Sequence, residues 1–124
     1  MADKRGISGR NLARLNNTLG VPTFLLNKDI AGAGTTSVVV DAPFKFKILD
    51  AWSIGTGAAG GTWRLHDGTG NINSAVTQDA VDNEVDRAAD IIDAYSTISQ
   101  GGDLDIISTG ASLACTVLIL CARV

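Results

Sequence analysis

Residues 55–61 read Gly55-Thr56-Gly57-Ala58-Ala59-Gly60-Gly61, and the first six match GxGxxG, the pattern whose glycines let a backbone close around a dinucleotide pyrophosphate. Such a loop must follow a strand and open a helix, because the helix N-terminus holds the phosphates. An apolar run precedes it, as required. The residues that follow, Gly61-Thr62-Trp63-Arg64-Leu65-His66-Asp67-Gly68, alternate with period two and carry no helical period. The glycines are therefore expected to join antiparallel strands. A hairpin symmetric about Gly57 and Ala58 sets Trp52 opposite Trp63 and Ile54 opposite Gly61, an aromatic pairing that contributes up to about 1 kcal/mol.

Three further groups carry chemistry-bearing side chains. His66, the single histidine, has Asp67 beside it. A triad or metal site needs its members to converge, whereas neighbours on a strand point to opposite faces, so His66 is expected on a surface or a rim. One histidine and two distant cysteines do not make a zinc site. The run Asp79-Ala80-Val81-Asp82-Asn83-Glu84-Val85-Asp86-Arg87-Ala88-Ala89-Asp90 offers carboxylates of the kind a hard cation wants, but lacks the order of an EF-hand loop. It is expected to be a solvated acidic loop, or one that meets basic surface on another chain. Cys115 and Cys121 are six apart in a strand-like run, roughly 20 Å at about 3.3 Å per residue, beyond disulfide reach. They are expected to be buried, reduced and intracellular. No catalytic residue, cofactor or metal site is expected.

The elements that must position these groups are strands. The chain has 124 residues, 45% hydrophobic and 19% charged, with 14 glycines against 2 prolines, enough for one self-sufficient core. Its net charge of −3 argues against nucleic-acid binding, which needs a basic domain. Neither a secretory core at the start nor an apolar run long enough to span a bilayer is present, so no membrane partner is expected. Charge is distributed unevenly: Lys4, Arg5, Arg10 and Arg14 lie within the first fourteen positions.

Residues 1–20 are polar and basic, with Leu12, Leu15 and Leu19 at helical spacing; a helix over 9–18 would be marginal alone. An N-terminal arm, extended or partly helical, that orders against a partner is expected there. From residue 21 to 124 the pattern is all-β. Phe44, Phe46, Ile48, Trp52 and Ile54 fall on one face of an alternating run and Lys45, Lys47, Ala51 and Ser53 on the other. Asp50 breaks the apolar face, which predicts a strand end or a bulge. Short alternating pieces follow at Thr62–His66, Ile72–Gln78, Ala94–Ser99 and Asp103–Thr109, and the acidic stretch 79–93 is either a helix or a loop with a strand. About eight strands at roughly ten-residue spacing predict an antiparallel β-sandwich or jelly roll.

The last run, Leu113-Ala114-Cys115-Thr116-Val117-Leu118-Ile119-Leu120-Cys121, is apolar on both sides. Leu113, Cys115, Val117, Ile119 and Cys121 take one face and Leu118 and Leu120 the other. A sandwich strand should be polar outside. Leu118 and Leu120 are therefore expected to meet another protomer, a partner protein or the chain's own arm.

The stretches DAPFKFKILDAWSIGTGAAGGTWRLHDGTGNI and EVDRAADIIDAYSTISQGGDLDIIST, with the terminal TVLILCARV, resemble the capsid decoration, or cement, proteins of tailed bacteriophages. The resemblance covers roughly residues 22–124. It implies a virion protein, made in the host cytoplasm, with a jelly-roll body and no enzymatic activity. It also implies a homo-oligomer, a trimer before other sizes, on the capsid surface, where it binds the major capsid protein across subunit boundaries. The arm residues Lys4, Arg5, Arg10, Leu12, Arg14 and Leu15 would supply partner contacts. Two other roles fit the same body: a tail or neck adaptor or head-fibre module, and a carbohydrate-binding sandwich stacking sugars on Trp52 or Trp63.

Overall fold

Period-two alternation becomes nine strands in two antiparallel sheets in a computed structural model that describes residues 22–57, 59–79, 81–92 and 95–124. The helix expected over 9–18 and the contact residues Lys4, Arg5, Arg10, Leu12, Arg14 and Leu15 lie outside the described residues. The strands are β1 (Thr23–Ala31), β2 (Gly34–Val39), β3 (Phe46–Gly55), β4 (Gly61–His66), β5 (Val76–Gln78), β6 (Val85–Arg87), β7 (Thr97–Ile98), β8 (Leu104–Thr109) and β9 (Ala114–Arg123). The first sheet has the order β1-β9-β3-β6, with β7 also paired to β3; the second has β2-β8-β4-β5. Successive strands mostly alternate between the sheets, and the last long strand returns beside the first. This is jelly-roll connectivity.

The inward side chains of both sheets close one core, dominated by Phe46, Ile48, Trp63, Leu65, Ile106 and Ile119. β9 holds its expected alternation along its length: Cys115, Val117, Ile119 and Cys121 are buried and the residues between them are half-buried. It lies between β1 and β3, so both of its edges are paired.

β3 departs from its expected facing. The register with β9 shifts between Ile48 and Asp50, leaving Leu49 as an extra residue. One inserted residue exchanges inside and outside for everything beyond it. Phe46 and Ile48 point inward as expected, but after the bulge Ala51, Ser53 and Gly55 are the buried positions and Trp52 and Ile54 turn outward. The small inward residues leave room for a side chain of the second sheet: Ser53 Oγ donates to Gln78 Oε1 at 2.5 Å, and the Gln78 amide lies against Gly55.

The hairpin expected at residues 55–61 is absent. β3 belongs to the first sheet and β4 to the second, so this segment crosses between sheets. Trp52 pairs with Leu118 and Arg87, whereas Trp63 pairs with Val76 and Ser108. Pattern alone reveals that two strands are separated by a glycine turn, but not whether they share a sheet. The glycines serve close packing: a Cβ on Gly55 would stand 2.6 Å from the Val81 carbonyl oxygen.

Candidate protein-binding face

The two outer faces of the sandwich differ in character. On the second sheet the outward positions are Thr35, Ser37, Thr62, Arg64, His66 and Asp105, with Ile107 as an apolar exception. Thr62 and Thr109 join their hydroxyls at 2.5 Å across β4 and β8. That is the polar surface expected where an antiparallel sheet meets water.

The first sheet turns the opposite kind of surface outward. Its cross-strand rows are Leu25, Leu120 and Asp50; then Asn27, Leu118, Trp52 and Arg87; then Asp29, Thr116, Ile54 and Val85. Leu25 and Leu120, then Leu118 and Trp52, then Ile54 and Val85 form an apolar diagonal across four strands. Leu25 is 48% exposed and Val85 59%. Asp29, Thr116, Asp50 and Arg87 among them are already engaged. Thr116 Oγ1 donates to Asp29 at 2.7 Å, and Asp50 accepts from its neighbour's backbone N–H at 2.8 Å. Asp50 also pairs with Arg87 at 3.2 Å, and that guanidinium stands 5.8 Å from the Trp52 ring centroid. Apart from Asn27, what these rows leave on the face is hydrocarbon.

Leu118 and Leu120 thus sit where the sequence placed them, outward on an internal strand. The structure adds Leu25, Trp52, Ile54 and Val85. Trp52 and Ile54 were hidden by the parity change at the bulge; the available signal was the run Ala51-x-Ser53-x-Gly55, in which small residues recur every second position.

The other sequence candidates take structural parts. His66 Nδ1 accepts the Gly68 N–H at 2.9 Å, while Asp67 accepts from Thr69 and Gly70 at 2.7 Å each, so the pair builds one tight turn. Trp63 is fully buried and its indole N–H makes no hydrogen bond to a described residue, which rules it out as an exposed stacking platform. Cys115 and Cys121 are unpaired and buried. Burial pushes the Cys115 thiol up to about 11, with the Asp29 charge adding to it, and burial pushes Cys121 up to about 12. A thiol reagent at pH 8 is accordingly expected to modify neither cysteine in the native protein and both after denaturation; rapid native labelling would contradict the packing of β9.

The described residues within 79–92 form a loop with the short strand β6. It brings carboxylate oxygens of Asp79, Glu84 and Asp86 within 4.8 Å of one another at the side of the sandwich where β6 of the first sheet meets the end of β5 in the second, Asp86 sharing the inward parity of its partner Ser53. The Glu84 carboxyl is held above its ordinary value of 4.5, first by its hydrogen bond with Asp79, then by desolvation and by repulsion from Asp79 and Asp86. A carboxyl with a raised folded pKa binds more protons folded than unfolded, so its contribution to stability falls as pH rises from about 4.5 through the folded value. Glu84→Gln is expected to flatten that part of the stability-versus-pH curve and to raise the neutral-pH melting temperature slightly. Thermal melts between pH 4 and 7 test it, and identical slopes for both proteins would contradict it.

No protein-family model matches the chain, and no curated protein matches it. Among solved structures it is similar to a chain in the acid-stable capsid of Helicobacter pylori bacteriophage KHP30, with TM-score 0.57, 11% identity, and 82% of this chain and 87% of that one covered. The likeness is one of fold. A chain of the disulfide-linked pili that form Bacillus endospore appendages follows at TM-score 0.45 and 13% identity, covering 84% of this chain and 88% of that one. The virus-like particle of extra small virus from the giant freshwater prawn Macrobrachium rosenbergii gives TM-score 0.44 and 11% identity, covering 98% and 84%.

Proposed function

We propose that this chain is a structural protein of a bacteriophage virion. It binds the outer surface of the capsid and stabilises the shell by bridging major capsid protein subunits. The observation that carries this reading is the apolar diagonal from Leu25 to Val85, a sheet face that a solitary sandwich would make polar. The jelly-roll likeness to a chain of a phage capsid supports it. The protein acts as a homo-oligomer, a trimer before other sizes. Its contacts run through two surfaces: the outer face around Leu118 and Leu120, and the segment 1–20, where Lys4, Arg5, Arg10, Leu12, Arg14 and Leu15 reach a lattice neighbour. Many copies on a repeating lattice gain avidity, so each contact can be weak while the shell is held firmly. No turnover is involved.

Survival of particles with and without this protein on heating or at low salt tests the role; equal survival refutes it. Copy number separates a tail or neck position from the capsid surface, since hundreds per particle fit the latter and three, six or twelve the former. Trp52 sustains one second reading, because its half-buried ring faces outward. Glycan titration followed by tryptophan emission decides it: a sugar platform shifts the spectrum, and an unchanged spectrum eliminates sugar binding.

A further inference from the structure

The segment before Pro22 and the outer face of the first sheet are complementary within one chain. Residues 1–21 carry Lys4, Arg5, Arg10 and Arg14 against a single acid, Asp3, which leaves six basic and twelve acidic residues to the remainder. The face offers hydrocarbon along its diagonal, on a body that holds twelve of the thirteen acidic residues. The segment offers Leu12, Leu15 and Leu19 at spacings of three and four, which one side of a helix presents together. Arg10 and Arg14 flank those leucines, and Lys4 and Arg5 lie further out.

The junction sets the direction. Pro22 accepts the Arg123 N–H at 3.0 Å through its carbonyl, so the β1–β9 ladder is already running there. Proline fixes its own φ and pushes the preceding residue toward an extended conformation. The described chain therefore begins where β1 starts its ladder with β9, at one end of the first sheet. Twenty-one residues reach up to roughly 70 Å when extended. A face about 33 Å long and about 14 Å wide across four strands on an adjacent molecule is within that reach.

We propose that residues 1–21 of one copy dock across the outer face of the first sheet of a neighbouring copy. Leu12, Leu15 and Leu19 lie on the diagonal from Leu25 to Val85, and the basic residues meet the acidic body of that copy. This rests on the assembly reading above and names the occupant of that face. Donor segment and acceptor face are different surfaces, so the contact is head-to-tail, and three such contacts close a ring.

The full-length chain tests it by light scattering and tryptophan emission. A Leu12→Asp, Leu15→Asp double variant is expected to fall to protomer mass with unchanged circular dichroism, because the core among the described residues is closed by strand side chains from β1 to β9. A synthetic peptide of residues 1–21 in about hundredfold excess is expected to dissociate the wild-type multimer. Added to the double variant, the same peptide should shift Trp52 emission to shorter wavelength, and additional Leu118→Asp should abolish the shift. Replacing Lys4, Arg5, Arg10 and Arg14 by Glu in the peptide should weaken its binding at least tenfold at low salt. If the double variant stays multimeric while Leu118→Asp alone dissociates, the face is an interface but the arm is not its occupant, and this inference falls alone. A wild-type chain that is monomeric, with neither variant altering its mass, overturns the assembly reading together with it.

Discussion

Leu118→Asp is expected to separate the multimer into protomers, or to aggregate it, while the sandwich itself stays folded. Leu118 lies at the centre of the outer face, paired with Asn27 on one side and Trp52 on the other, and its side chain points away from the core. A carboxylate there stays hydrated in an isolated protomer, so folding loses little. In an assembly the same carboxylate is buried among hydrocarbon, and the acids Asp29 and Asp50 of the adjacent rows are already held by Thr116 and Arg87. A loss of about 3 kcal/mol, roughly a hundredfold in the dissociation constant, is the expected scale. Light scattering across a concentration series measures it, with circular dichroism as the check on folding. If wild type and variant are both well-behaved protomers, the proposed contact does not exist.

Gly61→Ala is expected to destabilise the sandwich itself by about 3 kcal/mol, the upper end of the usual range for overpacking. A Cβ at Gly61 would stand 2.1 Å from the Thr109 carbonyl oxygen, 3.1 Å from its carbon and 3.3 Å from the Gly110 Cα. All three are backbone atoms, and Thr109 closes the β4–β8 ladder opposite Thr62, so relief requires moving a strand. Gly57→Ala is the control, since its Cβ meets only the Ala114 methyl at 3.3 Å. Urea unfolding should lower the midpoint strongly for Gly61→Ala and weakly for Gly57→Ala. Equal midpoints for Gly61→Ala and wild type would remove the close crossing from the account. A loss of this size matters because domains are stable by only about 5–15 kcal/mol.

These two substitutions mark where reading by pattern succeeds and where it stops. Leu118 is legible in the chain itself, because β9 is apolar at consecutive positions and period-two geometry forces every other side chain outward. The same rule gives the strands, the all-β class and the buried cysteines. Asp50 is legible as an irregularity for a related reason: a carboxylate does not belong in an apolar row.

What the pattern omits is anything that depends on which strand lies beside which. Trp52 and Ile54 share the parity of Phe46 and Ile48 in the sequence, yet they occupy the opposite face, because the bulge before Asp50 inserts one residue. The period-two run after residues 55–61 is legible as a strand rather than the helix a phosphate loop opens, but the crossing of this segment from one sheet to the other appears only once β4 pairs with β8 and β3 with β9.

A β-sandwich with hydrocarbon on both sides of its closing strand can be read from the chain directly, because side-chain alternation is a local property of each strand. That this hydrocarbon joins Leu25, Trp52, Ile54 and Val85 into one diagonal emerges from the folded arrangement alone. A face is assembled from residues far apart in the chain, and their register is set by hydrogen bonding between strands, which no single strand encodes.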